Sequence, residues 1–149
     1  MLDLVLAFAH HLAVFSLVGI IAAELALLRP GIAGATLQRI ARIDAAYGGV
    51  AVLVLLAGFL RVFFGTAGSD YYFQNPVFWA KIGAFVLVGL LSIQPSISLA
   101  RWRRLAKAAP DFAPAEAAVA QSRKFLLGEV LVLTLIPMFA AAMARGFGL

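Results

Sequence analysis

Long apolar runs set the pattern of this chain. The first, Leu4 to Leu28, reads LVLAFAHHLAVFSLVGIIAAELALL, and only His10, His11, Ser16 and Glu24 interrupt it. At about 1.5 Å per residue such a run crosses a hydrocarbon core of about 30 Å, so it predicts a transmembrane helix. Three further runs of spanning length lie at residues 45–64, 77–100 and 125–144. None alternates apolar and polar residues as a barrel strand would. The expected fold is therefore all-α: an integral membrane four-helix bundle, one transmembrane domain over residues 1–149, with spans at 4–28, 45–64, 77–100 and 125–144.

The first run is a poor signal peptide. Nothing basic precedes it, its apolar region is too long, and Arg29 follows directly like a stop-transfer charge. Three connections separate the spans. Residues 29–44 open with Pro30-Gly31, which should end the first helix, and Thr36 to Asp44 predicts a short amphipathic lead into the second. Residues 65–76 (GTAGSDYYFQNP) are glycine-rich and then aromatic, and residues 101–124 carry two prolines and predict a short interfacial helix from Pro114 onward.

Composition fits a bilayer. The chain is 64% hydrophobic and 13% charged, against about 25% charged in an average soluble domain. The net charge of +5 lies beside apolar spans and comes with no nucleic-acid motif, so the expected partner is the lipid bilayer and not nucleic acid. Arg29, Arg39 and Arg42 occupy the first connection, and Arg101, Arg103, Arg104, Lys107, Arg123 and Lys124 the third. The second connection has no basic residue and the two ends together have only Arg145. The positive-inside rule then places the first and third connections in the cytoplasm and both ends outside. The absence of cysteine excludes disulfides, thiolate metal sites and a cysteine nucleophile.

This orientation sorts the polar residues of the spans into two layers. The outer layer holds His10, His11, Arg61 and Lys81, with Trp79 beside them and Tyr71 and Tyr72 in the connection above. Ionisable side chains at bilayer depth are costly and normally face protein or a cavity. Adjacent His10 and His11 point about 100° apart, so at most one is an axial ligand. A histidine there is either a ligand for haem iron or copper, His10 being the metal-ligand candidate, or a side chain satisfied by a neighbouring helix. Met138 lies at a similar depth in the fourth span and is either a thioether ligand or a packing residue beside the kink expected at Pro137. Arg61 and Lys81 either snorkel to the headgroups or converge on a carboxylate-bearing ligand such as porphyrin propionates. Trp79, Tyr71 and Tyr72 read as an interfacial aromatic belt or as a stacking surface.

The inner layer holds Glu24, Asp44, Arg101 and Glu129, with Tyr47 and Gln94 nearby. Glu24 lies about four turns along the same face as His10, roughly 21 Å away. Internal pairing, with Arg101 as a cation for Glu24, is one expectation for this layer, and a proton relay or cation site is the other. The seven-residue series Asp44, Ala51, Gly58, Gly65 gives the second span a line of small side chains against which another helix can pack closely. Walker, Rossmann, GxSxG, HExxH and paired-cysteine motifs are absent from the sequence.

Phe8 with His10 in the first span, Arg39 and Arg42 before the second, and Trp79-x-Lys81 opening the third resemble the HemJ-type protoporphyrinogen oxidases and related four-helix bacterial membrane proteins. Copper-resistance membrane proteins share a similar layout. The resemblance implies haem b at His10, and importance for activity at Trp79 and Lys81. It also implies a multi-pass protein of the bacterial inner membrane. A haem- or porphyrin-binding redox protein is thus the leading expectation, with cofactor residues His10, Arg61, Trp79, Lys81 and Met138. Transport of a metal ion, proton or small solute is the alternative, and it brings in a homo-oligomer because four spans are few for a transporter. A non-catalytic accessory bundle is the third.

Overall fold

The computed structural model describes residues 1–148, and it is helical throughout its apolar length. Helices α1 (Leu2–Leu27), α2 (Gly34–Phe64), α4 (Pro76–Ala108) and α5 (Glu116–Ala144) are each long and apolar enough to cross a membrane. The short α3 (Ser69–Phe73) lies in the α2–α4 connection. Consecutive long helices run antiparallel, so the basic connections share one end of the bundle and the two chain ends share the other.

The connections are shorter than the charge pattern suggests. The amphipathic lead at Thr36 is the beginning of α2, and the interfacial helix expected from Pro114 is the beginning of α5. Helix α2 has 31 residues and α4 has 33, which makes them about 46 and 50 Å long, well beyond the hydrocarbon thickness. Arg39, Arg42, Arg101 and Lys107 therefore stand on helical extensions of the spans. Those extensions have a core of their own. Leu37, Ile40 and Ala41 of α2 pack with Leu99, Trp102 and Ala106 of α4, Val119 and Leu126 of α5, and Leu28 and Ile32 of the first connection. The i, i+3, i+4 spacing of the α2 residues turns all three inward.

At the opposite end α3 is tied down by hydrogen bonds. The Tyr71 hydroxyl donates to the Met143 carbonyl at 2.7 Å, and Asn75 Nδ2 to the Phe147 carbonyl at 3.0 Å. Asn75 also caps α4, its Oδ1 accepting from the Val77 amide at 2.8 Å, with Pro76 at the first helical position. Around the bundle, α1 packs on α2, α2 on α4 and α4 on α5, whereas α1 and α5 touch least. The ring of helices thus has one loosely closed seam.

Candidate functional site

His10 is the inward-pointing member of its pair. Its Nδ1 donates to the Val54 carbonyl of α2 at 3.2 Å, whereas the exposed His11 turns back to the Ala7 carbonyl at 2.6 Å within its own helix. A carbonyl only accepts, so in the neutral ring the hydrogen sits on Nδ1 and the free lone pair on Nε2. Gly58 makes this approach available. A Cβ at that position would stand 3.2 Å from His10 Cε1 and 3.5 Å from Nδ1. Gly65 does the same two turns further along α2, where a Cβ would meet Asp3 Oδ1 at 3.0 Å. Gly58 and Gly65 of the small-residue line therefore lie under α1.

Two spaces adjoin His10. A cavity of about 80 Å³ lies between α1, α2, α4 and α5, lined by Leu17, Val62, Phe78 and Phe85 among others. Along the seam between α1 and α5 runs a half-open apolar groove of about 700 Å³, bordered by Phe15, Val18, Leu133 and Pro137. His10 and Lys81 line both spaces. Pro137 lacks an amide hydrogen and so leaves the Leu133 carbonyl without its helical donor beside the groove.

The other outer-layer candidates divide. Lys81 Nζ lies 5.3 Å from the centroid of the Phe78 ring, within cation–π range. Arg61 is close enough to Lys81 and His10 for their charges to interact, and its Nε is buried without a hydrogen-bond partner. Met138 does not join them. It is 54% exposed and lines neither space, because its azimuth on α5 faces outward at the depth where a ligand was expected. Trp79 is likewise 54% exposed. It stacks on Phe73 at 6.1 Å between centroids, and its Nε1 donates to the Phe73 carbonyl at 3.0 Å, so it packs on the α3 segment and not on His10. Among the described residues no group of three or more His, Cys, Asp or Glu is placed to hold a metal ion.

The inner layer makes the expected internal hydrogen bonds at Asp44 and Glu129 but not at Glu24. Tyr47 of α2 donates its hydroxyl to Glu129 Oε1 of α5 at 3.0 Å, and Ser96 of α4 donates to Asp44 Oδ1 at 2.6 Å. Glu24, 2% exposed, has its Oε1 buried with no hydrogen-bond partner. Arg101 is exposed and does not reach it, because it projects from the outer side of the α4 extension. The cation that does reach α1 is Arg123 of α5. Its Nη1 donates to the Leu25 carbonyl at 2.7 Å and also to the Leu28 carbonyl, closing the last turn of α1. A cation there satisfies carbonyls that the helix itself leaves open and meets the negative end of its dipole.

Ser96, Gly58 and Arg123 were the contributors least visible in the sequence. Gly58 belongs to a small-residue line that does not itself reveal its partner helix, and Arg123 is one basic residue among many in a topology signal. A half-buried arginine is betrayed only by its phase on α5, one turn before the inward Leu126.

One family model matches residues 2–148, and its description is "Predicted membrane protein (DUF2214)". No curated protein and no solved structure matches the chain. Four membrane-spanning helices and a match over nearly the whole length make this chain a member of the DUF2214 family of predicted membrane proteins.

Proposed function

We propose that this multi-pass membrane protein binds a flat, apolar, carboxylate-bearing cofactor at its outer layer, with His10 as the ligand and haem b as the cofactor. The supporting observation is the built setting of His10: Nδ1 is engaged by the Val54 carbonyl, Gly58 clears the space, and Nε2 remains free beside Lys81. Ligating histidines commonly have their second nitrogen held in this way by a carbonyl. The 80 Å³ cavity is too small for a porphyrin. The α1–α5 groove, at about 700 Å³, falls within the roughly 300–1,000 Å³ of small-molecule sites. Lys81 lines the groove as a cation for a carboxylate, with Arg61 near it but outside the groove lining, which fits the resemblance of His10 and Lys81 to the HemJ-type proteins. Haem bound there would supply one-electron chemistry, while the chain's own contribution is to orient the imidazole and exclude water. Met138 lines neither space, so His10 is the residue that would hold the haem iron. The setting is the inner membrane of a bacterium, with the basic connections in the cytoplasm.

Purified protein, as isolated and after haem addition, tests the reading. A Soret band is expected in the wild type, lost in His10→Ala and retained in His11→Ala. No band under either condition, or equal loss in both variants, would overturn it.

A further inference from the structure

The inner layer carries more acid than its packing explains. Glu24 and Glu129 are 2% and 1% exposed, they come from helices α1 and α5, and no cation is bonded to either carboxylate. Glu129 has the Tyr47 hydroxyl. Glu24 Oε1 has nothing, although it lies near enough to Asp44 and Glu129 for their charges to interact. The remaining groups facing the cluster are neutral, with Ser92 beside the Tyr47 hydroxyl and Ser96 on Asp44. The nearby cation, Arg123, is spent on the Leu25 and Leu28 carbonyls.

Buried carboxylates with no cation are too costly to keep for packing alone, since an apolar residue of the same size would fill the space better. Something must compensate their charge. The carboxyl groups do not gather three together in the way a metal ion requires. A proton needs only one oxygen. Asp44 supplies the way in, because it lines a basin of about 590 Å³ between α2 and α4 that opens among Arg103, Arg104 and Lys107. In the other direction the path stops at apolar side chains, where Leu17, Ile21 and Val54 separate Glu24 from His10.

We propose that Glu24 and Glu129 form a proton-binding site inside the membrane, filled through Asp44 from the basic end of the bundle and closed toward the other. A proton passes from water to the Asp44 carboxylate and on to the glutamates, no heavy-atom bond changes, and the cluster gains one positive charge for each proton taken up. The site is separate from the one at His10 and needs no cofactor.

Infrared spectroscopy of the full-length protein in lipid nanodiscs tests this, using the carbonyl stretch of protonated carboxyl groups and its shift on transfer from H₂O to D₂O. The wild type should give the band, Glu24→Gln and Glu129→Gln should each diminish it, and Asp44→Asn should leave a glutamate band that exchanges its hydrogen more slowly. Carboxyl-¹³C glutamate in the wild type should shift the band even if a variant fails to fold. Absence of the band in folded wild type, no shift with labelled glutamate, a band unchanged in both glutamine variants, or unaltered exchange in Asp44→Asn would overturn the proposal. The measurement is made without haem, so its failure leaves the His10 reading standing, and failure of that reading leaves this one.

Discussion

The two polar layers of this bundle handle costly groups in opposite ways. In the outer layer the half-buried base has a partner and spare room: His10 is held by a backbone carbonyl and borders both a cavity and a groove. In the inner layer the buried acids are tightly enclosed, and one of them has no partner at all. A hydrogen-bonded imidazole beside open volume suits a resident ligand, because the ring is oriented and the space is available. An enclosed, unpartnered carboxyl suits a ligand that occupies no volume. The difference teaches that satisfaction of hydrogen bonds and availability of space must be read together before a membrane-buried polar group is assigned a role.

Variants that act on one layer only can break or sharpen this contrast. The largest effect is expected at the inner end. Arg123→Ala removes two charge-assisted hydrogen bonds, each worth about 1.5–3 kcal/mol, and should cost roughly 3 kcal/mol or more of stability against denaturation in detergent. Arg101→Ala, on an exposed residue, should stay within about 0.5 kcal/mol.

The two glutamates should then diverge. Glu129→Leu strands the Tyr47 hydroxyl in the core and should cost about 1–3 kcal/mol. Glu24→Leu removes a carboxyl that already lacks a partner, and should leave the melting temperature unchanged or raise it. Equal destabilisation by both would mean that Glu24 has a partner in the bilayer.

In the outer layer, Gly58→Ala drives a methyl against the His10 ring and should cost about 1 kcal/mol while altering any haem spectrum through the displaced imidazole. Met138→Leu should change stability by less than about 0.5 kcal/mol and leave the spectrum as it was. A spectral change there would restore the methionine to the site and dismiss the outward azimuth as its explanation.

Level along the bundle was readable from the sequence, and direction around the helix was much less so. Counting residues placed His10, Arg61, Lys81 and Met138 in one layer, but Met138 turns outward, since the outer half of α5, apolar apart from Thr134, gives little periodic signal to set its phase. The α1 pair was easier. His10 shares a face with Glu24, and both are turned inward. The long helices were readable as apolar runs, while their basic extensions passed for loops because charge hides the Leu37, Ile40, Ala41 spacing. Arg123 shows the limit most clearly. As a charge it reports topology, and only three-dimensional placement reveals that it closes the end of another helix.

That closure spans 98 positions of sequence from Leu25. During synthesis α1 enters the bilayer before α5 exists, and its terminal carbonyls must be kept wet by water or lipid headgroups until Arg123 has been made. The fourth span thus finishes the first, so a ribosome that stalls before Arg123 leaves α1 with its terminal carbonyls unsealed.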